Sequence, residues 1–180
     1  TDGIFMVCLM LANNETGIIQ DIEGVRAAIF AKRGYLCVDA VQAFGKVPVS
    51  FNNLQADLMA ISGHKIAGPK GSGALLTKPG IPLETLFKGG GQELGRRPGT
   101  ESIICIAGFA EAAKLIDLKD AERIGAMRDR IEAGLKAMDL PGLKIWGEDA
   151  PRAPNTVCFC APGFRAETQI MALDLAGIAV

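Results

Sequence analysis

The sequence predicts an α/β fold: a mostly parallel sheet with flanking helices. Three observations carry this. Residues 4–11, Ile4-Phe5-Met6-Val7-Cys8-Leu9-Met10-Leu11, and the run Tyr35-Leu36-Cys37-Val38 are continuously apolar, as expected for strands buried on both faces of a parallel sheet. Between them Ile22, Val25, Ile29 and Phe30 recur at helical spacing. A polar loop follows each run, so a β-α-β unit with parallel strands and a right-handed crossover is the default.

Each element follows from local chemistry. The first strand ends in Ala12-Asn13-Asn14-Glu15-Thr16-Gly17, a polar loop at its carboxyl end. Asp21 is placed to cap a helix running to about residue 32, and Gly34 stops it. The second strand delivers Asp39 to the same sheet edge as Asn14. Gln42 falls three residues further on, in the first turn of an expected short helix. After Val47-Pro48-Val49 and an Asn52-Asn53 turn, residues 57–61 and 73–77 read as third and fourth strands. The loop between them contains Ser62-Gly63-His64-Lys65 and Gly68-Pro69-Lys70-Gly71, and His64 is the single histidine. Lys78-Pro79-Gly80-Ile81-Pro82 is a turn, and residues 89–100 are too glycine-rich and polar for a core element.

Helical periodicity takes over at 101–118, with Ile104, Ala107, Gly108, Ala112 and Leu115 on one face. A second helix is expected over 120–138, with Ile124, Met127, Ile131, Leu135 and Met138 apolar, until Pro141-Gly142 breaks it. Residues 143–146 and 156–160 read as strands of a less parallel part. A helix over 167–175 and a strand start at Ile178-Ala179-Val180 close the chain.

Bulk properties narrow the function classes. A hydrophobic fraction of 49% in 180 residues supports a sizeable core and argues against disorder. A net charge of −1 gives no general attraction to nucleic acid or to an acidic membrane surface. The apolar runs are too short to span a bilayer, and no segment resembles a signal peptide. The Thr1-Asp2-Gly3 opening and the strand-like end suggest a sequence cut inside a fold. Cys8, Cys37, Cys105, Cys158 and Cys160 sit at core-like positions, which suggests reduced thiols in a cytoplasmic protein. Cys158 and Cys160 share a strand face, but small buried hydrophobes explain that spacing better than a metal does.

Three polar groups thus converge on one sheet edge: Asn14, Asp39 and the Ser62-to-Lys65 loop. In open α/β sheets ligands bind there. A strand-end aspartate opposite a loop lysine matches what pyridoxal phosphate needs, an amine for the aldehyde and a carboxylate for the pyridine nitrogen. Each residue also has a plainer reading. Asp39 suits a cap, Asn14 an Asx-turn, and His64-Lys65 a solvated turn. The loop at 68–73 lacks the Gly-Lys-Ser/Thr ending of a nucleotide-binding loop.

Taken together, Ala12-Asn13-Asn14-Glu15-Thr16-Gly17, Val38-Asp39-Ala40-Val41-Gln42, Ser62-Gly63-His64-Lys65 with Gly68-Pro69-Lys70-Gly71, and the 89–100 loop resemble the cysteine desulfurases. These are class V aminotransferase-like enzymes of the fold-type I pyridoxal phosphate group, and the motifs are closer to the NifS/IscS branch. The resemblance implies that residues 1–118 belong to the large cofactor domain and 119–180 to a smaller α+β domain. It implies Lys65 as the Schiff-base lysine and proton shuttle, with Asp39 on the pyridinium nitrogen. Gln42 and Asn14 would address the phenolic oxygen, and Ser62 and His64 the phosphate. Thr100 would reach the phosphate of a neighbouring subunit, implying a homodimer, and Arg97 would help order that loop or lie solvated on the surface. L-cysteine would be the substrate, alanine the product, and an iron–sulfur scaffold or other acceptor the destination of the sulfur.

The departures are as informative. In such enzymes the nucleophilic cysteine follows a Gly-Ile-Ala-Val strand, here Gly177-Ile178-Ala179-Val180, so none of the five cysteines matches it. The histidine that stacks on the ring, a Thr-containing phosphate loop and the substrate-carboxylate arginine have no counterpart either. Leu94 stands where an arginine is usual, and Pro98 where a small residue is. Two alternatives stay open: a related lyase or transaminase without a persulfide, and a non-catalytic binding or assembly module. The 180 residues alone are expected to expose apolar surface, to hold the cofactor poorly and to be inactive.

Overall fold

The computed structural model describes residues 5–180. Ile4, expected in the first strand, and the Thr1-Asp2-Gly3 opening lie outside the described residues. Strands β1 (Met6–Met10), β2 (Tyr35–Asp39), β3 (Leu58–Ser62) and β4 (Gly73–Thr77) form one sheet in the order β1-β2-β3-β4. β1 and β3 both run parallel to β2, and β4 returns antiparallel to β3. Helix α1 (Ile22–Phe30) makes the crossover from β1 to β2, capped by Asp21, whose Oδ1 accepts from the Gly24 amide at 2.9 Å. It buries Ile22 and Ile29 in a core shared with Leu11, Leu36, Val38, Ala43 and Met59.

β1 departs from the expected strand buried on both faces. Val7 and Leu9 pack on the core, whereas Met6, Cys8 and Met10 are exposed. β1 is an edge strand among the described residues, and its outward face meets no covering element, so a continuous apolar run ends half-wet. The expected core placement of the cysteines fails as well. Cys8 and Cys160 are exposed, Cys37, Cys105 and Cys158 half-buried, and all five are free.

Beneath the sheet one charge is well matched. The Asp57 carboxylate accepts from Arg26 Nη1 and Lys78 Nζ at 2.9 Å each and from the Leu36 amide at 2.8 Å. Burial pushes this carboxyl up, but the hydrogen bonds from Lys78 and Leu36 and the charges of Lys78 and Arg26 outweigh it. The net result is a carboxyl below its ordinary range.

Helices α2 (Ile103–Lys114) and α3 (Leu118–Ala137) follow, then β5 (Lys144–Ile145) and β6 (Phe159–Cys160), paired antiparallel, and α4 (Ala166–Leu175). The face α2 turns inward keeps Gly108 and Ala112 of the expected set but not Ile104, Ala107 or Leu115. Ile104 and Leu115 are exposed, while Cys105, Gly108, Phe109, Ala112 and Ile116 are half-buried. The cause is close approach: a Cβ at Gly108 would lie 2.5 Å from Pro69 Cγ, so the loop presses on that side. α3 likewise leaves Met127, Ile131 and Met138 exposed. It is tied down instead by Glu132, which accepts two bonds from Arg152 at 2.6 and 3.0 Å, and by Arg128 donating to the Ala153 carbonyl. Residues 178–180 form no strand. Ile178 donates to the Leu173 carbonyl and closes α4, and no described strand lies beside it to pair with.

Candidate functional site

Parallel register builds the site. Met10 lies opposite Asp39, and Asp39 opposite Ala60, so three strands end at the same edge. Side chains alternate across a strand, which puts Asp39, Ala60 and Ser62 on one face, opposite the face that packs α1. Ala60 beside Asp39 and Gly73 opposite Ser62 keep that face low. Asp39 is exposed there. Its Oδ1 accepts from the Val41 amide at 2.9 Å, as in the plainer capping reading, and Oδ2 has no partner among the described residues.

β3 runs directly into a 3-10 turn, Gly63–Ile66, ended by Ala67 at φ 62. Ser62 Oγ and His64 Nδ1 are hydrogen-bonded at 2.7 Å, so the two groups expected on one phosphate stand side by side. Lys65 is exposed and makes no hydrogen bond or ion pair among the described residues. It lines a cavity of about 610 Å³ with Lys46, Ile66, Ile116 and Ile124, whereas Asp39, Ser62 and His64 do not line it. In a 3-10 turn consecutive side chains point about 120° apart, so His64 and Lys65 leave the backbone in different directions.

Gln42 sits in tight turns rather than the expected short helix. The Phe44 amide donates to the Ala40 carbonyl and the Val47 amide to the Ala43 carbonyl. Gly45 interrupts them at φ 80, where a Cβ would also lie 2.6 Å from Ile66 Cγ2. This glycine lets the Gln42 turn press against the Lys65 turn. Lys46, which sequence reasoning passed over, donates to Gln42 Oε1 at 2.7 Å. Burial, then the nearby positive charge of Lys65, pushes the Lys46 amine below its ordinary value. The i, i+4 spacing of Gln42 and Lys46 was the available signal.

The structure does not draw every expected residue together. Asn14 is exposed, and its Nδ2 donates to Glu15 Oε1 at 2.6 Å rather than to Asp39 or Gln42. The Asx-turn in this loop belongs to its neighbour Asn13, whose Oδ1 accepts from the Glu15 and Thr16 amides at 2.9 Å. Thr100 is exposed with no side-chain hydrogen bond among the described residues. Its loop is tied by Gly99 to Gln92 Oε1, by Arg97 Nη1 to the Gly99 carbonyl and by Arg96 Nη1 to Thr77 Oγ1 of β4.

The donor set fits pyridoxal phosphate. A carboxylate with one uncommitted oxygen suits a protonated ring nitrogen, a hydroxyl beside an imidazole suits a phosphate, and an unpartnered primary amine suits an aldehyde.

Known proteins bear on this arrangement directly. The family described as Aminotransferase class-V matches residues 1–180. The chain belongs to the class-V aminotransferase family. A cysteine desulfurase of Cereibacter sphaeroides is 40% identical over 177 residues, covering 98% of this chain and 46% of that protein. A cysteine desulfurase IscS of Clostridium botulinum is 37% identical over 183 residues, covering 99% and 46%. Among solved structures, a NifS-like protein from Rickettsia africae superposes with a TM-score of 0.90 at 32% identity, covering 97% of this chain and 49% of that one. This class-V chain therefore spans about half the length of the curated relatives it matches.

Proposed function

We propose that the whole protein is a pyridoxal-phosphate-dependent cysteine desulfurase that converts L-cysteine to L-alanine and passes the sulfur on as a persulfide. The observation that carries this is the shared face of Asp39 and Ser62 at adjacent strand ends, with His64 and Lys65 in the turn that follows. Bound on that face, pyridoxal phosphate would supply the electron sink for a carbanion at the substrate carbon. Asp39 holds a proton on the ring nitrogen, and Ser62 and His64 donate to the phosphate. Gln42 donates its amide N–H to the phenolic oxygen, and Asn14 joins it once released from Glu15. The Lys65 amine anchors the cofactor and carries the proton to and from the substrate carbon.

A sulfur-accepting thiolate attacks the substrate sulfur. The carbon–sulfur bond breaks, its electron pair stays on the carbon, and a proton completes alanine. None of this chain's five cysteines is assigned that role. We further propose a homodimer in which Thr100 reaches the neighbouring subunit's phosphate site, a domain division near residue 118 where α3 begins, and a cytoplasmic enzyme serving an iron–sulfur scaffold or another acceptor.

Borohydride treatment of the whole protein is expected to fix the cofactor on the peptide containing Lys65, read by mass spectrometry. Lys65→Ala is expected to abolish the fixation and to lower alanine release from cysteine by about 10²–10⁴-fold. Fixation at another lysine, or unchanged alanine release, would overturn the assignment.

A further inference from the structure

The geometry points to Lys46 as a positioning residue that sets which end of the Gln42 amide faces the cofactor. This rests on the cofactor reading above and adds a residue to it. A side-chain amide has a donating and an accepting end that are nearly the same shape, and the phenolic oxygen of the cofactor needs the donating one. A protonated amine can only donate, so the end of Gln42 that meets Lys46 Nζ at 2.7 Å has to be Oε1. Nε2, which makes no hydrogen bond among the described residues, is then left as the end available to a ligand.

The turn is built to hold this arrangement. The bonds from Phe44 to Ala40 and from Val47 to Ala43 stack residues 42 and 46 one turn apart. Gly45 brings the turn against Ile66, the residue after Lys65. Lys46 and Lys65 also line one cavity. The groups around Lys46 in that cavity are Lys65, Lys119 and Arg123 on the positive side and Asp117 and Asp120 on the negative.

Without Lys46 the amide is free to flip and present its oxygen to the phenolate, a repulsive contact. The readout is the pH titration of the visible absorbance of the cofactor-loaded whole protein, because a donor to the phenolate favours its ionised form. Lys46→Met is expected to raise the titration midpoint by roughly half to one pH unit, the size of one hydrogen bond. Lys46→Ala, a second neutral variant, should shift it likewise, and Lys46→Arg, which keeps a donor, should restore the wild-type midpoint. Gln42→Ala should raise the midpoint too, and adding Lys46→Met to it should change nothing more. An unshifted midpoint in both neutral variants, or a full shift persisting without Gln42, would overturn the positioning role. If the cofactor reading itself is wrong, the wild-type protein shows no visible band at all, an outcome distinct from both.

Discussion

Helices α1 and α2 both lie against the four-stranded unit, α1 against β2 and α2 against the turn that carries Lys65. α1 buries Ile22 and Ile29 to 2% and 7% exposure, whereas α2, the more apolar of the two, leaves Ile103 and Ile104 at 77% and 85%. The difference lies in what covers them. α1 lays Ile22 and Ile29 against β2 and the core around it, and only Phe30 at its end, expected on the same stripe, is left 67% exposed. α2 packs on the turn that carries Lys65 and on Pro69, through Gly108 and Phe109. An apolar helix tells how much surface wants cover, not which side receives it.

Three substitutions test that contrast. Leu36 is fully buried under α1, so Leu36→Ala should cost about 3–4 kcal/mol through lost contacts and the cavity left behind. A cost below 1 kcal/mol by urea unfolding would break the contrast, because the α1 layer would then be as loose as the outside of α2. Asp57→Ala should cost about 3 kcal/mol, since it strands Arg26 and Lys78 without their shared carboxylate. The folded Asp57 carboxyl titrates below its ordinary value of 3.8, so the unfolded chain takes up the proton first. Its contribution is therefore complete above pH 3.8 and lost as pH falls through the folded value. Wild type and Asp57→Ala should converge in stability there, and a constant gap would assign the effect to packing instead. Smallest of all, Ile104→Ser on the outer side of α2 should change stability by no more than about 0.5 kcal/mol in this chain. A clear loss in the whole protein alone would show that the face is covered there.

The candidate site's geometry was legible where it depended on local rules. Asp39, Ser62, His64 and Lys65 stand at strand ends and in one turn, and strand alternation with parallel pairing is enough to put Asp39 and Ser62 on one face. Asn14 and Thr100 depend on where a loop side chain points. In this chain Asn14 turns to Glu15, and the Thr100 side chain makes no hydrogen bond among the described residues. Lys46 escaped notice because a lysine two residues before a proline reads as an ordinary surface charge until its nitrogen is seen on Gln42.

By itself the sequence determined the α/β order, the Asp21 cap, the parallel pairing of β1 with β2 and the clustering of polar groups at their ends. Those features follow from the spacing of apolar residues and from side chains acting on nearby backbone. Only the tertiary structure decided that β1 is wet on one face, that α2 turns Cys105 and Phe109 inward with Gly108 and leaves Ile104 outside, and that a buried Glu132–Arg152 pair, not an apolar stripe, fastens α3. Cover and charge pairing depend on which distant segment arrives at a surface, and no local pattern carries that information.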